Sequence, residues 1–175
     1  MIIRPAVASD VAGIHSLVTE YAGRGDLLPR TVESIAETLP DWLVAEQEGA
    51  VMACVALLPY SETLAEVRSL AVNSAVHGQG WGAAIVAAAI AEAQRRRIPM
   101  LFALTRAVPF FVRAGFAITD KVFFPEKVWR DCSICPVREC CDETAVVLHL
   151  NSVPHLYAEQ AVPVGDGAGA GFGAV

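Results

Sequence analysis

One stretch of the chain gathers residue types that do chemistry: Glu66-Val-Arg68-Ser-Leu70-Ala71-Val72, a short turn, then His77-Gly78-Gln79-Gly80-Trp81-Gly82-Ala83. A carboxylate such as Glu66 can take a proton from a nucleophile. A guanidinium such as Arg68 offers a planar fork that pairs with carboxylates. The glycines open a long alanine-rich run. They let the backbone come close to an anion, while the free N–H groups and dipole of a helix start attract negative charge. A strand, a glycine-studded turn and a helix in that order predict a pyrophosphate cradle and a co-substrate that carries the pyrophosphate.

Other uses of such a loop have to be weighed. Gly78-Gln-Gly80-Trp-Gly82-Ala83 satisfies G-x-G-x-x-G/A, the fingerprint of dinucleotide sites. Such sites place a carboxylate about 20 residues on, at the end of the next strand. The next strand, Met100 to Leu104, ends in Thr105-Arg106 and offers none. A P-loop is excluded because no Gly-Lys-Ser/Thr follows. A glycine-rich turn with no ligand is the remaining alternative on the loop alone.

Leu70-Ala71-Val72 followed by Gly78-x-Gly80-x-Gly82 resembles the coenzyme A signature of the GNAT N-acetyltransferases, Gln/Arg-x-x-Gly-x-Gly/Ala. Here His77 stands in the first slot, a departure from the family. Phe110-Phe111-Val-Arg-Ala-Gly115-Phe116 resembles the family's aromatic-Tyr-x-x-x-Gly-Phe element. Within the superfamily, Leu27-Leu-Pro-Arg30, Glu66 to Val72, and Lys127-Val-Trp-Arg130-Asp-Cys132-Ser-Ile-Cys135-Pro with Cys141-Asp-Glu143 resemble the short single-domain N-acetylglutamate synthases of bacterial arginine biosynthesis. The resemblance covers residues 1 to about 150. It implies an α/β (α+β) domain with the GNAT acyl-CoA N-acyltransferase fold: a mixed, mostly antiparallel sheet, splayed at its centre, with helices on both faces. It also implies acetyl-CoA as co-substrate and direct attack of the α-amino group of L-glutamate on the thioester. An acetyltransferase for another amino acid or a peptide N-terminus, and a non-catalytic acyl-CoA-binding regulatory module, are the rivals.

The same resemblance assigns roles. Glu66 is the expected general base, and strand alternation would put it on one face with Arg68, Leu70 and Val72. Its alternative is a structural ion pair with Arg68 or a neighbouring cation. Main-chain groups of Leu70, Ala71 and Val72 would face the thioester and pantetheine arm, and His77, Gly78, Gln79, Gly80, Trp81, Gly82 and Ala83 would hold the pyrophosphate. Phe111 occupies the slot where many members carry a tyrosine acid. It has no proton to give and is expected to pack on the cofactor at most, with a place in the core as the alternative. Thiols titrate near 8.5, so unaided departure of the thiolate is tolerable. Arg30, Arg68, Lys127 and Arg130 are the cations expected to bind the carboxylates of the acceptor.

The elements needed to position these groups follow from periodicity and punctuation. Ile2 to Arg4 is an expected strand stopped by Pro5. Residues 9–22 form an expected helix capped by Ser9, and Thr31 caps a second one that Pro40 ends. Trp42 to Glu46 and Val51 to Leu58 flank a Glu48-Gly49 turn, a hairpin pattern. A strand over 65–72, a helix over 80–97, a strand over 100–105, a short helix from Pro109, and strands over 117–121 and 143–150 complete one domain, residues 1–151. Residues 122–142 are expected to be an extended loop. Residues 152–175 lose the pattern and end in a glycine/alanine run expected to be mobile.

Of the 175 residues, 54% are apolar and 18% charged, with net charge −6. That balance suits a compact globule and argues against a nucleic-acid partner. The helix over 80–97 is broken by Glu92, Gln94 and three arginines, so no membrane span is expected. The opening residues do not resemble a signal peptide, and cytoplasm is the expected compartment. The five cysteines do not form a secreted framework. Cys132, Cys135, Cys140 and Cys141 are compatible with a structural zinc, reduced thiols or a redox pair, and no catalytic metal is implied. The expected partner is a small amino-acid substrate, and a homodimer is left open.

Overall fold

The computed structural model describes residues 1–130, 132–134 and 141–150. Among them, seven strands and five α-helices follow in the order β1 (Ile2–Pro5), α1 (Val11–Gly23), α2 (Val32–Glu37), β2 (Trp42–Gln47), β3 (Ala50–Pro59), β4 (Leu64–Val72), α3 (Trp81–Arg95), β5 (Met100–Thr105), α4 (Val108–Arg113), β6 (Ala117–Thr119), α5 (Pro125–Arg130) and β7 (Thr144–His149). The strands make one sheet, ordered β1-β2-β3-β4-β5-β7-β6. Every neighbouring pair is antiparallel except β4 and β5.

Local chemistry explains most of these elements. Glu48 and Gly49 both take positive φ, 53° and 80°, as the two-residue turn between β2 and β3 requires. Thr31 caps α2 by accepting the Ser34 N–H at 3.1 Å. Ser9 does not cap α1. A 3-10 turn over Ala8–Asp10 precedes that helix. The buried Asp10 carboxylate instead accepts the Val7 N–H at 2.8 Å and both Arg4 Nη groups, at 2.6 and 3.0 Å. The Arg4 guanidinium holds that carboxyl below the usual range. The stretch over 122–142 is not merely an extended loop, because it contains α5. The expected tail over 152–175 lies outside the described residues.

Two apolar layers sandwich the sheet. One face carries Leu43, Val55, Val67, Leu101 and Val146 and is covered by Ile85, Val86 and Ala89 of α3 and Phe111 of α4. On the other face, Val44, Cys54 and Ala56 meet Ile14, Leu17 and Val18 of α1 and Ile35 of α2. The same face continues past β4 as a smaller cluster of Leu64, Phe102, Phe124 and Ala145. Burying these side chains supplies the main driving force for assembly.

Two irregularities in β4 shape the site. Its parallel pairing with β5 covers Leu64↔Met100, Ala65↔Leu101 and Glu66↔Phe102, and the register goes no further. Beyond that rung the strands part, which leaves a wedge with main-chain groups of β4 along one wall. The second irregularity is a bulge against β3. Ala56 faces Arg68 while Cys54 faces Ala71, so β4 carries one extra residue there. Ser69 absorbs it with φ at 52°.

Candidate active site

The bulge alters which side chains share a face. Glu66 and Arg68 lie with Ala56 on the α1/α2 side, and Ala71 joins that side after the extra residue. Leu70 and Val72 instead pack into the α3 layer. The expectation that Glu66, Arg68, Leu70 and Val72 share one face is therefore corrected. Alternation by two holds only along a regular strand, and a bulge reverses it.

Glu66 stands at the vertex of the wedge, only 2% exposed. Lys127 Nζ lies 2.8 Å from its Oε1, and the Tyr60 hydroxyl donates to Oε2 at 3.0 Å. Arg68 Nη1 is 3.8 Å from Oε2. The pairing with Arg68 foreseen as an alternative is present, and a second cation comes from α5. Lys127, expected among the substrate ligands, is itself buried against Glu66. Its ammonium anchors α5 to β4. For Arg130, only its place in the last turn of α5 is described.

Next to this cluster is a cavity of about 190 Å³, lined by Arg30, Ser34, Glu37, Thr38, Asp41, Trp42, Ala56, Leu58 and Arg68. Arg30 and Arg68, both expected to bind the acceptor, thus converge on one hollow between α2 and the sheet. Arg68 lies past the last β4–β5 rung, so the hollow adjoins the wedge. Part of its wall is fixed by side-chain bonds. Trp42 Nε1 donates to Thr38 Oγ1 at 3.1 Å, and Arg96 Nη1 meets Asp41 at 2.7 Å. Glu66 contacts Arg68 at 3.8 Å and is not among the lining residues.

On the other side of β4 is the glycine loop. Gly78 and Gly80 take φ of 74° and 84°. A Cβ built on either would meet nothing within 4 Å, so the space above the loop is open. Gly80 is the residue before α3 and gives no side-chain cap, which leaves the first N–H groups of a 15-residue helix pointing outward. Open space, bare amides and a helix dipole together fit a pyrophosphate.

Three side chains near this loop have other tasks. His77 Nε2 lies 2.8 Å from the Val72 carbonyl, and the Tyr21 hydroxyl donates to the same carbonyl at 2.7 Å. Only the tautomer with a proton on Nε2 makes the first contact favourable, so His77 ties the loop to the end of β4. Expected among the cofactor-binding positions, its ring here supports the loop. Phe111 is 4% exposed and sits edge-on to Phe110 and Phe116, so it belongs to the core rather than to the cofactor surface. Phe110 is the ring that approaches the helix start, 3.4 Å from where a Cβ on Gly82 would be. The Trp81 ring is also core, so only its amide can serve the cradle.

The cysteines divide in a similar way. Cys54 is fully buried, and burial pushes its thiol up to about 12. The Cys141 sulfur accepts from the Lys121 ammonium at 3.2 Å, and no group of metal-binding side chains occurs among the described residues. Cys135 and Cys140 lie outside them. No helix among the described residues is long and apolar enough to cross a membrane.

Sequence reasoning missed Tyr60 and Tyr21. Tyr60 follows Pro59 at the β3–β4 turn, and no short-range pattern marks its approach to Glu66.

Comparison with known proteins agrees with this geometry. Residues 12–116 match the model of the acetyltransferase (GNAT) family. An uncharacterised N-acetyltransferase of Chlorobaculum tepidum is 40% identical over 145 residues, covering 83% of this chain and 94% of that protein. An amino-acid acetyltransferase of Mycobacterium tuberculosis is 36% identical over 131 residues, 70% of this chain and 75% of that protein. A solved M. tuberculosis structure in complex with CoA and NLQ superposes with TM-score 0.73 at 29% identity, covering 86% of this chain and 100% of that one. The N-acetylglutamate synthase of Neisseria gonorrhoeae, complexed with coenzyme A and N-acetyl-glutamate, gives TM-score 0.77 at 26% identity. That match covers 86% of this chain but only 35% of the longer synthase. With the splayed sheet, the glycine cradle and a family match across most of the domain, the chain belongs to the GNAT family of N-acetyltransferases, whose co-substrate is acetyl-CoA.

Proposed function

We propose that the protein transfers the acetyl group of acetyl-CoA to the α-amino group of L-glutamate. The observation that carries this reading is the convergence of Arg30 and Arg68 on one cavity beside the wedge. An acceptor with two carboxylates needs two cations, and a guanidinium binds a carboxylate bidentately. Relatives named amino-acid acetyltransferase, and a neighbour complexed with N-acetyl-glutamate, support the same class of acceptor.

Acetyl-CoA would lie with its pyrophosphate on the amides between Gly78 and Ala83, apart from the Gln79 N–H that the Val76 carbonyl takes at 3.3 Å, and its pantetheine arm along Leu70 to Val72. The Val72 carbonyl is already taken by Tyr21 and His77. The remaining main-chain groups of that segment would line the arm and meet the thioester oxygen as charge develops on it. The acceptor ammonium must lose a proton before it attacks. Glu66 receives it through a water, because the carboxylate does not itself line the cavity. The nitrogen–carbon bond forms, the carbon–sulfur bond breaks, and the thiolate leaves without a side-chain acid at position 111.

A second reading concerns Glu66 alone, and its contacts with Lys127 and Arg68 favour it. There the carboxylate serves as an anchor for two cations and the proton goes to solvent. A thiol-release assay with acetyl-CoA and an amino-acid panel led by L-glutamate tests both. Glutamate-dependent release, with KM for glutamate raised about tenfold or more in Arg30→Ala and Arg68→Ala, is the expected result. Release with a different amine alone refutes the acceptor, and CoA binding without release favours a regulatory module. Glu66→Gln separates the two roles. A loss of kcat at unchanged fold marks the base, and a loss of stability with kcat kept marks the anchor.

A further inference from the structure

Among the described residues three side chains meet the Glu66 carboxylate, and two of them can only donate. The ammonium of Lys127 and the guanidinium of Arg68 carry no acceptor lone pair. The third is the Tyr60 hydroxyl, which donates to Oε2 at 3.0 Å and can also accept. The difference matters when the carboxylate gains a proton. A protonated oxygen facing a cation is a donor set against donors. Oε2 has the Arg68 cation only at 3.8 Å, beyond hydrogen-bond reach, so its bond is the one to the phenol, and that bond can reverse so that the carboxyl keeps a partner.

Tyr60 is held in place for that contact. Its N–H bonds to the Leu64 carbonyl at 2.9 Å across the β3–β4 turn. Its ring tilts against Phe102 with centroids 5.6 Å apart, and Phe102 stacks on Phe124 at 4.2 Å. Phe102 is fully buried and is the β5 residue opposite Glu66 in the last rung before the strands part. The aromatic column therefore fixes the phenol at the vertex of the wedge.

We propose that Tyr60 is a positioning residue for acetyl transfer: it directs the proton taken up by Glu66 onto Oε2 and keeps that oxygen hydrogen-bonded in both protonation states. The inference rests on Glu66 acting as the base. In each turnover the proton leaves the acceptor nitrogen, reaches Oε2 through water and returns to solvent, while Tyr60 keeps its own proton.

Tyr60→Phe removes the hydroxyl and keeps the ring on Phe102. Steady-state kinetics across the neutral pH range, with whichever acceptor turns over fastest in the wild type, compare the two proteins. The expected result is a kcat lower by roughly tenfold to a hundredfold with both KM values within about twofold. In a Glu66→Gln background the same substitution changes kcat by less than about twofold, since the two residues act as one unit. Thermal melting shows that Tyr60→Phe is folded. Wild-type kcat in Tyr60→Phe overturns the proposal, and so does a raised acceptor KM with kcat kept. Either can occur while the wild type still acetylates glutamate, so the acceptor assignment stands or falls separately. A wild type with no amine-dependent turnover overturns both.

Discussion

Lys127 gives the sharpest test of whether this site has been understood, because sequence pattern and structure assign it different work. In Lys127→Met the chain keeps similar length but loses the ammonium that lies 2.8 Å from Glu66 Oε1. Both partners are buried, with 8% and 3% of their side chains exposed. Breaking such a pair by removing one member costs about 3–5 kcal/mol, mainly because the other charge is stranded. Here the stranding is incomplete. Arg68 is 3.8 Å from Oε2 and Tyr60 still donates to it. The expected loss is therefore about 2–3 kcal/mol. In a domain of this size each kcal/mol moves the melting point by about 2–4 °C, so Tm should fall by about 4–12 °C. Urea unfolding should show a lower midpoint at unchanged slope. Acceptor KM, measured on the folded variant, should change by less than about threefold, because the ammonium is spent on Glu66 and not on substrate. Stability within about 0.5 kcal/mol of wild type, together with a KM raised tenfold or more, would refute the reasoning. It would make Lys127 a substrate ligand after all.

The glycine cradle and the acid response of α3 supply two more tests. Gly80→Ala places a side chain at φ of 84° with open space around it, so the cost is conformational, about 1–2 kcal/mol. Calorimetry should find weaker CoA binding and melting should find lower stability. Gly82→Ala, in helical backbone with ordinary contacts of 3.4 and 3.6 Å to Phe110 and Val72, should be neutral or slightly stabilising; the reverse order would discredit the cradle. Glu92 pairs with Arg95 and Arg96, and those guanidinia pull its carboxyl from 4.5 down to about 2. A depressed folded value means stability that is present above the unfolded value and lost as pH falls through the folded one. The free energy of unfolding should thus decline between about pH 4.5 and about pH 2, and Glu92→Gln should flatten that decline. An identical acid slope in the variant would remove Glu92 from the account.

Much of the architecture was legible in the residues because its causes are short-range. The Glu48-Gly49 turn, the Thr31 cap and the glycines at 78 and 80 are each set by local backbone chemistry, and the structure places them as expected. Element edges moved by a few residues. Pro5 lies inside β1, which ends there at the rim of the sheet, and α5 emerged from what periodicity alone marks as loop.

Side-chain partnership across the sheet was not legible. No pattern in Arg68-Ser69-Leu70 signals that Ser69 adopts a left-handed conformation, yet that single bulge decides that Leu70 and Val72 turn away from Glu66. Phe111 belonged by motif to the cofactor and by packing to the core, because neighbouring aromatics at 110 and 116 enclose it. The sequence by itself determined a strand–glycine–helix cradle, the order of the elements and two arginines suited to carboxylates, since propensity, turn chemistry and charge type are local properties. Only the tertiary structure decided that Lys127 and Tyr60 meet Glu66, that Arg30 meets Arg68 around one cavity, and that β4 parts from β5 at Glu66. Those contacts join residues far apart in the chain, and it is the packing of the whole sheet and its helices that brings them together.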